Sequence, residues 1–424
     1  MLINFTFGNF RSFKDEKTLS MEATSNSEHK ESLISIGNYN LLPVAVMYGA
    51  NSSGKSNVIK AFSTFKYMIL DSIKNDRDSE LDFDPFKLAE NTQDSSMSFE
   101  MQFIIDDKTY RYGFESNEKE IIAEWLFEKG KKKENFLFEV EDGEIEINKK
   151  HFSEANGFDN MFLGNKLFLP IVAQQSKKAK KSMNIMQWFK TNFNTISGIN
   201  PQGYERFTLK MLGKRQVDYN NAIDFFKKLD LGFSDYKIEE HKVAEIKKEA
   251  AQKGNKKMEE ELSQIPDDAV MVNTFTQHTV RLKNGAKKVE FFNEDDMESE
   301  GTKKIISLSG PIFDTLKEGS VIIIDELDAK LHPFLTREIV KLFTRKETNP
   351  KGAQLIFATH DTNLLDLSIL RRDEIWFTEK DENEASDLYS LAEFKQADGT
   401  KIRKDASLEK NYINGRYGAI PYIN

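Results

Sequence analysis

Eight consecutive residues carry the clearest chemistry in the chain. Gly49-Ala50-Asn51-Ser52-Ser53-Gly54-Lys55-Ser56 fits the pattern GxxxxGK[ST] in full, after the apolar run LPVAVMY (42–48) and before an amphipathic stretch. A strand, a glycine-containing loop and a helix start are the context in which this spacing has meaning. The glycines let the loop curl so that backbone N–H groups point inward, and the helix N-terminus adds positive potential. Such a loop cradles phosphate. Asn51, Ser52, Ser53, Gly54 and Asn57 would surround it, Lys55 would bridge the β- and γ-phosphates of a nucleotide, and the Ser56 hydroxyl would ligate Mg²⁺.

Two later segments bring complementary groups. Val321-Ile322-Ile323-Ile324-Asp325-Glu326 is a β-branched run ending in two carboxylates. Asp325 suits the surroundings of Mg²⁺, and Glu326 can polarise a water that attacks the γ-phosphate. Acids at the end of a buried strand are seldom structural, because burying them unpaired costs several kcal/mol, roughly. Leu355-Ile356-Phe357-Ala358-Thr359-His360-Asp361 again delivers a polar group to the end of an apolar strand, and His360 could hydrogen-bond a γ-phosphate there. His332, in LHP at the next helix start, reads as a cap or packing group.

The elements that must position these groups follow from the pattern. Strands are expected at Ile3–Phe7, Thr18–Ala23 and Leu42–Tyr48, and a helix at Lys55–Lys74. Four strands separated by turn residues, between Met97 and Val140, predict an antiparallel sub-sheet. Met183 to Leu231 reads as helical. Residues 237–264 are almost wholly charged and read as a solvated helical hairpin or mobile insertion, with a binding arm as the lesser reading. Strands return from Val270 and turn at Asn284-Gly285. A helix over Thr302–Leu316, strands at Val321–Ile324, Gln354–Ala358 and Asp373–Glu379, and a helix at Pro333–Arg345 alternate as a parallel α/β sheet does. The fold class expected is α/β, with a parallel P-loop sheet, an antiparallel β sub-sheet and a helical insertion lobe. The domains expected are 1–182, 183–268, 269–380 and a C-terminal segment, 381–424.

Composition excludes several function classes. The 424 residues include 33 Phe and 39% hydrophobic residues, enough for a sizeable core. There is no cysteine, so disulfides and thiolate metal sites are excluded. No apolar run is long enough to span a membrane, and MLINFTFGNFRSF is no signal peptide, so a soluble cytoplasmic protein is expected. The net charge of −9 argues against coating nucleic acid. The lysines at 129–133, 177–181 and 287–288 have no interleaved aromatics and read as solvated loops, so DNA is not strongly signalled.

The order of strand, P-loop, helix, acidic pair and strand-ending histidine resembles an ABC-type ATPase head. That resemblance implies a site built between two heads, one bringing the P-loop and the other a Ser-Gly signature loop at a helix N-terminus. Two clusters compete for that role, Ser299-Glu300-Gly301-Thr302 and Leu308-Ser309-Gly310-Pro311. The signature helix, its connection and the strand bearing the acidic pair together need roughly twenty residues or more. Ser299 lies 26 residues before Asp325 and Ser309 only 16. Ser299 and Gly301 are therefore assigned to the nucleotide, and LSGP to the inside of the helix.

NFRSF (9–13), GANSSGKS, ESEGTKK, IIIDELDAKLHP and ATHD together resemble, more narrowly, the AAA_15/AAA_21-type ATPases of bacterial anti-phage defence. That group includes the OLD nucleases, RloA and the AriA subunit of PARIS. The resemblance implies that Arg11 and Ser12 edge the nucleotide, and that Gln174 or Gln175, in IVAQQS, is the Q-loop residue that links Mg²⁺ to the lobe interface. It implies ATP and Mg²⁺ as cofactors and at least two heads, as a homo-oligomer. It also implies a nuclease effector from a neighbouring gene and a phage-encoded trigger protein. The 64 residues after His360 are too few for a Toprim nuclease domain, so a motor without a nuclease is expected. A RecF/Rad50-like DNA-repair ATPase is the alternative, and a transporter ATPase is disfavoured by the SEGT signature. Tyr412, Ile413, Tyr417, Ile420, Pro421, Tyr422 and Ile423 give the tail an apolar character, suited to packing on its own head or to docking a partner.

Overall fold

Three short segments, VAVMYG (44–49), VIIID (321–325) and QLIFA (354–358), are apolar without alternation. A strand of that kind must be covered on both faces. The computed structural model, which describes residues 1–76, 78–130, 133–161, 164–214, 217–394 and 407–420, brings the three together as neighbours. They form the middle of a six-stranded sheet in the order Phe193–Ser197, Val321–Asp325, Gln354–Ala358, Val44–Gly49, Ile375–Lys380, Ser386–Ser390. The first five strands are parallel and the last closes an antiparallel hairpin. Residues 381–384 are the tip of that hairpin.

A second, seven-stranded antiparallel sheet runs from Glu144–Ile147 at one edge through Leu2–Gly8 to Lys17–Ser20 at the other. The P-loop helix, Lys55–Asp71, shares one buried core with both sheets. Phe62 stacks on Phe5 at 4.0 Å and Phe65 on Phe114 at 5.4 Å, so the helix's aromatic stripe meets the antiparallel sheet. Both sheets and this helix belong to a unit made of 1–199 and 315–424.

Residues 200–314 form a second unit. It holds the helices Glu205–Gly213 and Val217–Lys228, and a three-stranded antiparallel sheet of Tyr236–Lys242, Val270–Arg281 and Lys287–Asn293. The helical pair Val243–Lys253 and Lys256–Leu262 connects the first two strands, and the helix Glu300–Glu318 leads out of the unit. The fold class is α/β, as expected, but the insertion is not purely helical.

Two expectations are corrected. Residues 237–242 are strand rather than helix, because Tyr236–Lys242 pairs residue by residue with Val270–Thr276 and ladder bonds override the helical charge pattern. Phe193–Ser197 lies within a stretch read as helical, yet pairs in parallel with Val321–Asp325. The two units divide the chain at 199/200 and 314/315, with strand Phe193–Ser197 in the parallel sheet and strands Val270–Arg281 and Lys287–Asn293 in the second unit.

The tail packs on its own unit: Tyr412 and Tyr417 are buried, with Tyr412 stacked 5.6 Å from Phe377. Pro421, Tyr422 and Ile423 lie outside the described residues, as do Lys131 and Lys132. Among the described residues no helix is long and apolar enough to cross a membrane.

Glu124 shows how tightly this core is specified. Its carboxylate is fully buried and accepts hydrogen bonds from the Tyr112 hydroxyl at 2.9 Å and from the N–H groups of Phe168 and Leu169 that open the helix Phe168–Gln175. Glu124→Ala strands three buried donors and should lower stability by about 3 kcal/mol in denaturant melts. Burial raises the Glu124 pKa from 4.5 to about 7. The group's favourable contribution is therefore full below pH 4.5 and lost as pH rises through about 7. The stability difference between wild type and Glu124→Gln should shrink over that window, and a difference independent of pH would contradict it.

Candidate nucleotide site

The register of the parallel sheet aligns the ends of its strands. Ser197 stands opposite Asp325, Ile324 opposite Phe357, and Ala358 opposite Met47. The chain segments leaving these ends (the P-loop, the acidic pair and the histidine turn) therefore emerge side by side, the place where open α/β sheets bind ligands.

The P-loop is curled and tightly backed. A Cβ at Gly49 would lie 2.4 Å from Ser53 Oγ and 2.5 Å from the Thr378 carbonyl. Gly54 has φ of 119°, and a Cβ there would lie 2.7 Å from Ser386 Oγ. The Ser53 and Thr378 hydroxyls pair at 2.5 Å, and the Ser386 hydroxyl donates to the Ser53 carbonyl at 2.7 Å. Ser386 Oγ also pairs with Ser12 Oγ at 2.8 Å, while Asn57 Nδ2 donates to Ser12 Oγ at 2.8 Å. Asn51 and Ser52 stand exposed at the loop's tip, with Ser52 at φ 64°. Ser56 follows Lys55 in the first turn of the helix.

Ser12 thus reaches the first turn of the P-loop helix at Asn57, whereas Arg11 is engaged elsewhere. The Arg11 guanidinium pairs with Asp84 at 3.0 Å and its backbone N–H donates to the Asp84 carbonyl at 2.7 Å. This turns it toward the segment that leads into the antiparallel sheet.

Electrostatics tie the three segments together. The Lys55 ammonium donates to the carbonyls of Gly49 at 2.8 Å and Ala50 at 3.0 Å. Burial lowers its pKa, while Asp325, Glu326 and Asp328 oppose that shift and favour the charge. Burial also lowers the His360 pKa below 6.5, aided by repulsion from Lys55 and opposed by the same three carboxylates. At neutral pH His360 is therefore an uncharged imidazole with one N–H to donate. Its backbone N–H donates to Asp328 Oδ2 at 3.2 Å.

Asp325 Oδ1 and Asp328 Oδ1 are buried without a hydrogen-bond partner. Buried carboxylate oxygens are rarely left so, and such a pair within reach of the Lys55 charge fits a hydrated divalent cation. Ser56 and Asp325 are the residues that would hold it. Asp328 belongs to the run IIIDELDAKLHP, and the sequence alone assigns it no role. Its role emerges only here, because its carboxylate reaches the histidine turn.

Glu326 has φ of 53°, a left-handed conformation unusual for glutamate and common at sites where strain serves function. The structure supplies its support. The Gly198 N–H donates to the Asp325 carbonyl at 2.6 Å, and a Cβ at Gly198 would lie 2.2 Å from the Glu326 carbonyl. No motif pointed to Gly198; its only sequence signal is a glycine directly after FNTIS, a strand the helical reading of 183–231 hid.

Gln174 and Gln175, expected as the Q-loop pair, are not among the residues brought together at these strand ends. Gln174 and Gln175 are exposed at the C-terminal end of the helix Phe168–Gln175. That helix starts beside Ser72, just past the C-terminal end of the P-loop helix, and ends where Ser176 Oγ donates to the Glu154 carbonyl. It follows no strand of the parallel sheet. The segment that reaches the acidic pair is instead Ser197-Gly198-Ile199. His332 caps the helix Pro333–Thr344, its Nδ1 accepting from the Phe334 N–H at 3.3 Å, and its ring stacks on Phe334.

Within the second unit, Ser299 caps the helix Glu300–Glu318. Its Oγ accepts from the Thr302 N–H at 3.1 Å, and both Ser299 and the start of the helix are accessible. Ser309 is buried ten residues later and donates to the Ile306 carbonyl at 2.6 Å. Gly310 abuts Thr208, whose Oγ1 would be 2.2 Å from a Cβ there.

Gly198→Ala should therefore displace Glu326 without touching the phosphate loop. Phosphate release should fall at least about tenfold while binding of a fluorescent ATP analogue stays near wild type. Unchanged turnover would show that the contact is dispensable.

The head domain of SMC from Thermotoga maritima is similar at 13% identity and a TM-score of 0.40, covering 92% of this chain and 98% of that one. The SMC head domain of Pyrococcus furiosus, bound to the C-terminal domain of ScpA, is similar at 12% identity and a TM-score of 0.34, covering 92% and 96%. No curated protein matches the chain. A family model described as "AAA domain, putative AbiEii toxin, Type IV TA system" matches residues 44–366, a span holding the P-loop, the acidic pair and the histidine, and the chain belongs to that AAA_21 family.

Proposed function

We propose that the chain binds ATP with Mg²⁺ and hydrolyses it at a site completed by a second copy, and that in bacterial anti-phage defence this cycle controls a separate nuclease-type effector. The observation that carries the ATPase reading is the convergence of Lys55, Asp325, Glu326 and His360 at the aligned ends of one parallel sheet. Bound Mg²⁺ would neutralise charge on the β- and γ-phosphates. The P-loop N–H groups and Lys55 hold the phosphates, and His360 donates its N–H toward the γ-phosphate. Glu326, kept at the loop's edge by Gly198, accepts the proton of the attacking water.

The accessible N-terminus of the helix capped by Ser299 supports the composite reading. Such an end offers N–H groups and positive potential to a phosphate, and in a homo-oligomer it would meet the nucleotide of the other copy. The defence role rests on the motif resemblance and on a family description that names a toxin–antitoxin system. A phage-encoded protein as the trigger belongs to the same reading.

Glu326→Gln should retain ATP binding and slow phosphate release by about 10² or more, whereas Lys55→Ala should weaken binding itself. Co-expressed with the neighbouring gene, the Glu326→Gln protein purified in ATP should carry a different amount of that gene's product than in ADP. Equal turnover by Glu326→Gln and wild type would remove the base assignment. A neighbour that never co-purifies in either nucleotide would remove the effector.

Mixing Lys55→Ala with Ser299→Arg protein should restore part of the activity, because one site of the mixed pair is intact. Ser309→Ala should lower the melting temperature and spare hydrolysis. The reverse pattern, with Ser309 essential and Ser299 silent in folded protein, would refute the composite reading.

A further inference from the structure

The three-stranded sheet of the second unit has two unlike faces. Pleating puts Tyr236, Thr276, His278 and Phe292 on one side. Tyr236 and Thr276 there are buried, and His278 meets Glu298 at 3.0 Å. The other side carries Phe275, Phe291 and Val289 together with Lys237, Arg281 and Lys287. Val289 is 58% exposed and Phe291 38%. Lys237 Nζ stands 5.9 Å from the Phe275 ring centroid and 5.8 Å from that of Phe291, a cation over two aromatic faces.

Charge sharpens the contrast. Arg281 lies directly opposite Lys287 in the ladder, a like-charge pair that weakens a sheet. With Lys283 and Lys288 around the Asn284-Gly285 turn, the hairpin end carries four cations and no acid between residues 281 and 288. Glu239 pairs with Lys237 and Glu290 with Lys288, and the tip cations that face the aromatic side are Arg281 and Lys287, with Lys283 in the turn. Folding gains nothing from concentrating cations at this end, whereas a polyanion would.

We propose that this face binds single-stranded nucleic acid, with bases stacking on Phe275 and Phe291 and phosphates meeting Arg281, Lys283 and Lys287. Aromatic side chains on an open sheet face, rimmed by cations, are what unstacked bases and their backbone require. A duplex hides its base faces and would leave the two rings unused. A second copy of the same face would set cations against cations. From sequence, Lys287 and Lys288 read as a solvated loop, because Phe275 and Lys237 join them only through strand pairing. The inference is independent of the ATPase reading, since binding to this face needs no nucleotide.

The test is fluorescence anisotropy with a labelled oligo-dT of about 20 nucleotides, against a duplex of equal length, at low and physiological salt. The wild-type chain should bind oligo-dT more tightly than duplex. Phe275→Ala and Phe291→Ala should each weaken binding about tenfold, and Phe291→Tyr should retain it. The pair Arg281→Glu and Lys287→Glu should weaken binding and flatten its salt dependence. Bromouracil-substituted oligonucleotide should crosslink within residues 270–293. Each variant should keep the wild-type melting profile and phosphate release, because these residues lie outside the nucleotide machinery. Absence of oligo-dT binding by wild type at low salt would overturn the proposal. So would a preference for duplex, or alanine variants that bind normally while folded. Self-association that Phe291→Ala abolishes, without oligo-dT binding, would assign the face to a second copy instead. If oligo-dT binds but ATP is not hydrolysed, only the ATPase reading fails.

Discussion

The curl of residues 49–56 is the constraint on which the rest of the nucleotide end depends. The loop is backed so closely by Thr378 and Ser386 that a Cβ at Gly49 or Gly54 has no room, so the segments behind it must sit at a fixed distance. Those segments are Thr378 and Ser386, from two strands near the C-terminus, and Ser12, from the first turn of the chain. Three hydroxyls from distant parts of the sequence thus set the shape of one loop. Their short hydrogen bonds suit a polar contact closed off from water, where an unmade bond would cost about 1–3 kcal/mol.

The acidic side of the site follows a different economy. Lys55 is held within reach of Asp325, Glu326 and Asp328, whose charges oppose the cost of burying it. Two carboxylate oxygens there remain buried without a partner, and Glu326 is kept in a left-handed conformation. Each of these features costs stability by itself. Together they describe a site built for a charged ligand rather than for its own lowest energy, and the buried strands behind it supply the rigidity that makes the cost bearable.

Connectivity links the second unit to this chemistry. The chain enters that unit directly after Gly198, whose N–H holds the Asp325 carbonyl, and returns along Glu300–Glu318 to the strand that ends in Asp325. One covalent connection therefore leaves beside the acidic pair, and the other returns to the start of the strand that bears it. A sequence that merely inserted a lobe at a tolerant surface loop would more often choose an exposed tip away from the site.

The sequence by itself determined the P-loop, the acidic pair and the strand-ending histidine, because each is a contiguous run whose chemistry depends on local order: a curl, a strand end, a helix start. It determined the α/β class for the same reason, since apolar runs without alternation predict buried parallel strands. It also separated Ser299 from Ser309 by their distance from the acidic pair, and the structure caps the helix with the first and buries the second. What it did not reveal was everything that depends on pairing at a distance. Phe193–Ser197 has too short and mixed a pattern to declare itself a strand until Val321–Asp325 lies beside it, and with it went Gly198 and the correct segment facing Glu326. Tyr236–Lys242 carries a helical charge pattern that seven ladder pairs override. Arg11 matched a motif, but Asp84, 73 positions away, took its guanidinium. Local order is written in neighbouring residues. Which surfaces meet is settled only when the strands have found their partners, because the hydrogen bonds and buried area that decide it do not exist before then.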